Sequence, residues 1–423
     1  MQSTPNIHET IDHLFRREAG KMVSVLSRLL GMQELETAQD IVQDSLLQAM
    51  NVWPYKGIPE NPTAWLYRTA KNKAIDILRR EKKFKELSPE YTYLLQSEFS
   101  LTSTVNNLFL ENEIQDSQLR MMFACSHPAI AEESQIALML KTLCGLNSAE
   151  IAKAFLTNEE TINKRIYRAR EKIKSEKIEL VVPQGKDLVA RLDAVLKSLY
   201  LLFNEGYNSS QPEHLIREDL CEEAMRLTYL LTQHHITNQS RTNALLSLMC
   251  FQASRLRARL DDKGNIIVLK YQDREKWFRP LMQKGFEYLA VAMENLDSSP
   301  YHIEAAIASL HASAKSFEKT DWKSIFDLYE ALYQQQPSPV IAMNKAIAFA
   351  YAHNKKDALT QLQNIKGLED YYIYHTSIGE IYFDLHNHAL AKKFYEKAFT
   401  LTTSHPEQQL LLSKIENCDA INN

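Results

Sequence analysis

The scarcity of glycine limits most strongly what this chain can fold into. Only 10 of its 423 residues are glycine, about 2%, whereas a typical share is about 7%. Tight hairpins and phosphate-binding loops both depend on glycine. The chain contains neither G-x-G-x-x-G nor G-x-x-x-x-G-K-[ST], which disfavours a nucleotide-binding α/β fold. Since 45% of the residues are hydrophobic and 24% are charged, the chain has a globular composition, and we predict an all-α fold.

Charge and cysteine content bear on partners and compartment. The net charge of −4 argues at first sight against nucleic-acid binding, but a whole-chain value can hide local basic stripes. The five cysteines are odd in number and include no C-x-x-C pair, as is typical of reduced thiols in a cytosolic protein. The N-terminus has no signal pattern, and every apolar run is well short of a membrane span. We therefore expect a cytoplasmic protein without a membrane partner.

Two amphipathic helices are predicted between residues 8 and about 52. The proline-rich stretch 54–62 should then form a loop, followed by a helix from about Thr63 to Lys83. The second amphipathic helix should bury apolar residues at helical spacing and leave a polar outer face. These apolar residues are Ala38, Ile41, Val42, Leu46, Leu47 and Met50.

The helix that starts near Thr63 carries a basic stripe. Between Arg68 and Glu86 there are eight basic and three acidic residues. Basic groups that follow a phosphate backbone, together with aromatic faces for unstacked bases, suit single-stranded DNA. The alternative is a solvated basic helix whose tryptophans belong to the core. The aromatic residues near its start are Trp53, Tyr55, Trp65 and Tyr67.

Residues 135–178 predict a helix-turn-helix arrangement. Two capping pairs, Asn147 with Glu150 and Thr157 with Glu160, should start its second and third helices. The third helix has a buried stripe of Ile162, Ile166, Ala169 and Ile173 and a basic outer side. Its N-terminal half should face base edges, and later residues should reach phosphates. A purely structural helix-turn-helix is the alternative.

The chain beyond Lys186 has a helical pattern, apart from short breaks such as 208–214 and 261–265. Its last third contains an internal repeat with a period of about 33 residues, which resembles the tetratricopeptide repeat. Small residues recur where two helices must approach closely. Such repeats offer a concave protein-binding surface; an irregular α-bundle is the alternative. Equivalent positions include Ser313, Ala346 and Gly379, and also Ile325, Ala358 and Ala391.

One element suited to single strands and another suited to duplex DNA are what a promoter-melting protein needs. Residues 8–180 resemble the sigma-70 family, specifically its extracytoplasmic-function (ECF) members. Residues 36–50 are similar to region 2.2, residues 61–80 to regions 2.3–2.4, and residues 162–173 to the recognition helix of region 4.2. The C-terminal half, including residues 193–210, resembles the ECF subgroup with a tetratricopeptide-like extension.

The resemblance implies two partners, core RNA polymerase, through its β′ clamp helices and β flap, and promoter DNA. A further protein could bind the C-terminal repeats. It implies polymerase contacts at Asp40, Gln43 and Asp44. It implies −10 contacts at Trp65, Arg68, Lys71, Asn72, Arg79 and Arg80. It implies −35 contacts at Thr161, Asn163, Lys164, Arg165, Arg168 and Lys172. Asn163 departs from the family pattern, because many members have a basic residue there.

The resulting hypothesis is a transcription initiation factor that is not an enzyme and needs no cofactor. Its rivals are a repeat-type scaffold or adaptor and a one-component helix-turn-helix repressor. Metal binding by Cys125 and His127 is disfavoured because no second ligand pair has usable spacing. Gly206 is expected to end a helix in the left-handed conformation. The expected domains are region 2 at 8–85, a linker at 86–111, region 4 at 112–180, a helical extension at 187–300 and repeats at 301–420.

Overall fold

A computed structural model describes residues 7–81, 105–155, 157–208, 216–294 and 298–422. Regular structure in these ranges is helical, apart from one isolated bridge between Leu260 and Ile266. The all-α prediction is therefore confirmed. The chain divides into two compact units, Met1–Leu202 and Phe203–Asn423. Most of the expected linker, residues 86–104, lies outside the described residues.

The N-terminal unit is built from seven α-helices and the start of an eighth among the described residues. A short 3₁₀ turn, Met32–Glu34, joins the first two. The helices are α1 (Ile7–Leu30), α2 (Leu35–Lys56), α3 (Pro62–Glu81), α4 (Glu111–Cys125), α5 (Glu132–Leu143), α6 (Ser148–Ala154), α7 (Glu159–Ser175) and α8 (Lys186–Tyr207).

The end of α2 differs from the sequence prediction. Pro54 was expected in a loop, but it lies inside α2, which continues to Lys56. Proline lacks an N–H and crowds the carbonyl four residues earlier, which usually ends a helix. Here Trp53 is 1% exposed and anchors the last turn in the core. The Gly57 amide then closes the helix by donating to the Trp53 carbonyl at 2.9 Å.

Helices α1 and α5 touch at a glycine. A Cβ atom placed on Gly20 would overlap the carbonyl oxygen of Leu143. Only a residue without a side chain permits this approach of two backbones. Arg28 of α1 strengthens the same side of the unit, because its Nη1 pairs with Glu113 at 2.8 Å and with Asp116 at 3.0 Å. Helix α1 is thus packed directly against the helices near residues 111–143.

The C-terminal unit continues from the end of α8 with ten more α-helices among the described residues. The second helices of its last three hairpins begin at Trp322, Lys355 and His388, which are evenly spaced along the chain. The helices are α9 (Glu218–Gln233), α10 (Ser240–Ala253), α11 (Arg279–Ala292), α12 (Pro300–Ser313), α13 (Trp322–Gln335), α14 (Pro339–Ala352), α15 (Lys355–Gln363), α16 (Tyr372–Asp384), α17 (His388–Leu401) and α18 (His405–Asn422).

Most of the repeat positions are buried. Ile325, Ala358 and Ala391 are each 0% exposed. A Cβ atom on Gly379 of α16 would lie 2.6 Å from Cε1 of Tyr395 in α17, so these helices cross closely. Ser313 is exposed at the end of α12, so the small residue there fills no crossing. Assignment to the tetratricopeptide family stays a prediction.

The stretch Ser254–Phe278 was predicted to be helical except for a short break, and this was wrong. It contains three 3₁₀ turns and the Leu260–Ile266 bridge, without an α-helix. Asp261 explains part of the difference, because its Oδ1 accepts hydrogen bonds from the amides of Lys263 and Asn265 at 2.9 and 2.8 Å. Such side-chain bonds compete with helix formation.

Gly206 also differs from expectation. It lies within α8 and not in a left-handed position after it. A Cβ atom there would lie 2.7 Å from the amide nitrogen of Cys221 and 2.9 Å from the carbonyl oxygen of Arg217. A side chain at this position would therefore overlap the start of α9. The close approach also lets the Gly206 carbonyl accept a hydrogen bond from the Arg217 amide at 2.7 Å.

Candidate nucleic-acid interface

The exposed face of α2 carries both acidic and apolar side chains. Asp40, Gln43 and Asp44 are exposed as predicted. Leu47 and Met50, expected in the core, are 54% and 40% exposed and lie on the same face. The other four predicted core residues, Ala38, Ile41, Val42 and Leu46, are buried, together with Ser45, Ala49 and Trp53. The spacing 40, 43, 47, 50 was the signal that could have revealed this face.

Asp44 is less available than Asp40. Its Oδ2 pairs with the Lys73 ammonium of α3 at 3.2 Å. This exposed pair links α2 to α3 and contributes modestly, since such pairs are typically worth about 1 kcal/mol or less. Asp40 is therefore the cleaner probe of the α2 face.

Helix α3 presents a basic and polar side. Arg68, Asn72 and Arg79 are exposed, whereas Trp65 and Lys71 are half-buried. Lys71 donates to Oδ1 of Asn106 at 3.1 Å. Burial, and then the positive charge of Arg68, lower the pKa of Lys71. The side chain of Arg80 lies outside the described residues.

The four aromatic residues near α3 do not form one exposed surface. Trp53 is in the core and contacts Trp65 edge to face, with ring centroids 5.4 Å apart. The Tyr67 hydroxyl donates to Glu18 at 2.7 Å. Tyr55 is 90% exposed. Trp53 and Tyr67 therefore stabilise the unit, and Trp65 and Tyr55 are the aromatic groups that bases could reach.

Helices α6 and α7 form the helix-turn-helix. A separate turn at Gly145, between α5 and α6, precedes it. The predicted pair at α6 is present: the Asn147 amide donates to Glu150 and the Glu150 amide donates to Asn147, both at 2.8 Å. The predicted pair Thr157 with Glu160 is wrong. Asn158 caps α7 instead, and its Oδ1 accepts from the Thr161 amide at 2.8 Å. Asparagine is a stronger N-cap than threonine, so the N-cap is Asn158 and not Thr157, and α7 starts one residue later than predicted.

The two sides of α7 are as predicted. Ile162, Ile166, Ala169 and Ile173 are buried. Of the residues expected to read DNA, Asn163, Lys164, Arg168 and Lys172 are exposed, whereas Thr161 and Arg165 are half-buried. All of these residues except Asn163 border a groove of about 750 Å³ between α7 and residues 129–134.

The side chains of α7 are engaged to different degrees. Arg165 pairs with Glu133 of α5 at 2.5 Å, and Asn163 accepts from the Ser148 hydroxyl at 2.6 Å. Lys164 pairs with Glu160 at 2.7 Å on the exposed surface. Arg168 has no hydrogen bond or ion pair to the residues that the structure describes. Arg168 is thus the most accessible guanidinium on this face.

The far end of α7 contacts α2, which the sequence did not indicate. Nη1 of Arg170 and Nζ of Lys174 pair with the same carboxylate, Glu36, at 3.0 and 3.3 Å. Arg170 also donates to the side chain of Gln39. Since Glu36 lies one turn before Asp40, α7 reaches the edge of the acidic face of α2.

Cys125 and His127 have ordinary structural surroundings. Burial raises the pKa of Cys125 to about 12, which keeps it a thiol. Nδ1 of His127 accepts from the Ala129 amide at 3.2 Å. In the described ranges, no group of three His, Cys, Asp or Glu side chains is arranged to hold a metal ion. Among the described helices, none combines the length and the apolar character that a membrane span requires.

Three segments of the chain match known families. Residues 14–84 match sigma-70 region 2, and residues 120–173 match sigma-70 region 4. Residues 191–293 match a family described as of unknown function, DUF6596. The first two segments contain the α2, α3 and α7 surfaces described above.

Several known proteins are similar to the chain over different lengths. A protein of Rhizobium meliloti (strain 1021), named only as uncharacterized, is 34% identical over 391 residues, which is 92% of this chain and 91% of the relative. The RNA polymerase sigma factor YlaC of Bacillus subtilis (strain 168) is 26% identical over 170 residues, or 39% of this chain and 91% of that protein.

The ECF RNA polymerase sigma-E factor of Haemophilus influenzae (strain ATCC 51907 / DSM 11121 / KW20 / Rd) is 28% identical over 169 residues, or 38% of this chain and 85% of that factor. No solved structure matches the chain. Regions 2 and 4 follow one another in a single unit, and two sigma factors are among the relatives. The N-terminal unit therefore contains sigma-70 regions 2 and 4, which supports a sigma-70 family sigma factor.

Proposed function

We propose that this protein is an ECF-type sigma factor that docks on core RNA polymerase through α2, opens the −10 element with α3 and reads the −35 element with α7. Members of the sigma-70 family bind core polymerase and promoter DNA and are not enzymes. The observation that carries the proposal is the outward basic side of α7, above a fully buried isoleucine stripe.

Helix α2 supplies the polymerase contact in this proposal. Asp40, Gln43 and Asp44 offer acceptors, and Leu47 adds an apolar patch beside them. A mixed surface of this kind suits a partner helix that is both basic and apolar, because apolar burial supplies affinity and charge supplies register.

Helix α3 holds the melted strand. Arg68 and Arg79 suit phosphates, Asn72 can pair with a base edge, and Trp65 offers a partly open ring. Lys71 has a smaller role than its sequence suggests, since Asn106 already accepts from it. Arg80 remains assigned by resemblance alone.

Helix α7 reads duplex DNA in the major groove. Asn163, Lys164 and Arg165 lie in its first half and Arg168 just past its midpoint, and the N-terminal half of a recognition helix meets base edges. Lys172 lies one turn further and faces phosphates. Thr161 lies at the first turn, where its backbone and hydroxyl can meet the DNA backbone.

Promoter binding requires α3 and α7 to separate. A compact body of about 200 residues has a radius of gyration of about 17 Å, or a diameter of about 45 Å. Elements centred near −10 and −35 lie about 85 Å apart on straight B-form DNA, at about 3.4 Å per base pair. We infer that the contacts of Glu36 with Arg170 and of Gly20 with Leu143 open when both elements are bound. The C-terminal unit would modulate this step.

Run-off transcription with core polymerase on a randomised promoter library tests the proposal. The full-length protein should bind core polymerase and select promoters with shared −10 and −35 sequences. Asp40→Lys should weaken polymerase binding while the protein stays folded, because an exposed change usually costs less than about 0.5 kcal/mol. Asp262→Lys is the matched control, an identical charge reversal on an exposed loop of the other unit.

Three results would count against the proposal. Failure to bind core polymerase would favour an adaptor or a one-component repressor. Duplex DNA binding without polymerase-dependent initiation would favour the repressor. Equal weakening of polymerase binding by both charge reversals would show that α2 has no specific role.

A further inference from the structure

Three arginines of the C-terminal unit gather in the irregular stretch Ser254–Phe278. The guanidinium carbons of Arg255 and Arg274 lie 5.1 and 4.5 Å from the ring centroid of Trp277, so the two cations share one ring. Trp277 is only 2% exposed. Arg259 lies 3.9 Å above the ring of Tyr207. Since this site is partly buried, the repulsion between the cations is poorly screened by water.

Within the described residues, no carboxylate pairs directly with these arginines. None of the three arginines forms an ion pair with Asp or Glu anywhere in that part of the chain. Arg255 instead contacts the side-chain oxygens of Gln272 and Gln252, at 3.3 and 3.4 Å. Glu318, whose charge acts on Arg274, is exposed and accepts from the Ser316 hydroxyl at 2.7 Å.

The pKa of the neighbouring His311 is lowered by the same positive charges. Burial, followed by the charges of Arg255 and Arg274, lowers the pKa of His311 to about 3. Burial, followed by Arg255, lowers the pKa of Arg274 as well. A group of cations that opposes its own ionisation in this way would be stabilised by an anion.

Two donors in the same stacked group lack an acceptor among the described residues. They are the indole Nε1 of Trp277 and Nη2 of Arg274, and both are buried. Buried donors of native proteins are nearly always paired, and each exception calls for an explanation. An oxyanion would offer several acceptor oxygens together with the missing negative charge.

We propose that the arginine cluster, Arg255 and Arg274 over Trp277 together with Arg259 over Tyr207, is a binding site for a small oxyanion, the phosphate or carboxylate group of a small molecule. The ligand is small because the orphaned donors are buried and the arginines are only partly exposed. This site lies wholly in the C-terminal unit and does not depend on the role proposed for the N-terminal unit.

A purely structural role accounts for only part of the cluster. Arg259 donates to the carbonyl of Tyr207, the last residue of α8, and Arg274 donates to the carbonyls of His311 and Ala314 at the end of α12. Basic side chains commonly bond such carbonyls. Arg255 bonds to no carbonyl of the described backbone. Capping of helix ends therefore does not explain why a charged residue lies at position 255.

Isothermal titration of the full-length protein tests the site. Inorganic phosphate and sodium acetate are titrated separately, with sodium chloride at equal ionic strength as the blank. We expect saturable binding of at least one oxyanion, and Arg255→Gln should weaken it about tenfold or more, as loss of a charge-assisted hydrogen bond does. Arg257→Gln is the matched control, because Arg257 lies in the same stretch but is exposed and only faces the Phe278 ring at 5.7 Å.

Tighter binding of phosphate would indicate a phosphate group on the ligand, and tighter binding of acetate would indicate a carboxylate. Both results support the site. Absence of saturable binding by both oxyanions overturns the proposal, as does unchanged affinity in Arg255→Gln. If Arg255→Gln has lost helical circular dichroism, Trp277→Phe replaces it, because this change keeps a ring and removes the N–H. Weaker binding by Trp277→Phe then supports the site, and unchanged affinity overturns it.

Discussion

Two arginine-rich parts of the molecule use the same residue in opposite ways. In α7 the arginines lie on the sides of a regular helix that face away from its buried isoleucines. In Ser254–Phe278 all four arginines lie over aromatic rings, and two of them share one buried tryptophan. A regular helix separates charged and apolar sides by its period alone. An irregular stretch has no such period, so the surrounding helices determine which way each arginine points.

The largest expected effect of a single change is at the ring under the C-terminal arginines. Trp277→Ala should lower the free energy of unfolding of the C-terminal unit by about 3–5 kcal/mol, because it removes a fully buried ring and the support of two guanidinium groups. Urea unfolding followed by circular dichroism measures this. Phe278→Ala, at a ring that is 45% exposed, is the control and should cost far less. Equal losses would mean that the Trp277 stack is unimportant.

The corresponding change under the α7 arginines is Ile166→Ala. Ile166 is 4% exposed, and removing its side chain should cost about 2–5 kcal/mol. Tyr167→Ala, one residue later and 63% exposed, should change stability by about 0.5 kcal/mol or less. Thermal unfolding of both variants checks this, and a larger loss for Tyr167→Ala would contradict the placement of the helix.

Acid should destabilise the protein through His311, the buried histidine beside Arg255 and Arg274. His311 has a pKa of about 3 in the folded protein, against about 6.5 when unfolded. Below pH 6.5 the unfolded chain therefore binds a proton that the folded chain does not, so stability falls as the pH drops. The loss should reach about 2 kcal/mol at pH 5. His311→Phe keeps an aromatic ring beside Trp322 and should show a smaller loss between pH 6.5 and 5 in urea titrations.

The outward arginines should affect DNA binding and not folding. Under the proposed function, Arg168→Ala should relax preference at one −35 position by about 1–3 kcal/mol, whereas Lys172→Ala should weaken all promoters alike and reduce the salt dependence. Binding to a panel of −35 variants at two salt concentrations separates these effects. Identical behaviour of the two variants on every sequence would refute this division of roles.

The smallest effect is expected at the ion pairs between α7 and α2. Glu36→Lys should cost about 1 kcal/mol or less, because the pairs with Arg170 and Lys174 are partly exposed. The double variant Glu36→Lys with Arg170→Glu should regain part of that loss. A double-mutant cycle at low and high salt measures the coupling. A coupling energy of zero at low salt would mean that these ions do not hold the helices together.

Much of the fold followed from local patterns. Low glycine content excluded folds rich in turns, and the period of Ile162, Ile166, Ala169 and Ile173 fixed the buried side of α7. The reciprocal caps Asn147 and Glu150 started α6 as expected. Each of these features depends on residues within a few positions of one another, so no distant contact was needed to predict it.

Tertiary contacts decided the rest. Leu47 and Trp53 are both apolar residues of α2, yet one is 54% exposed and the other 1%, because only one side of the helix meets α1 and α3. Arg255 and Arg168 are both arginines in basic stretches, and only the first lies against a buried ring. Sequence periodicity assigns residues to faces of a helix, but which face is covered depends on surfaces that come from elsewhere in the chain.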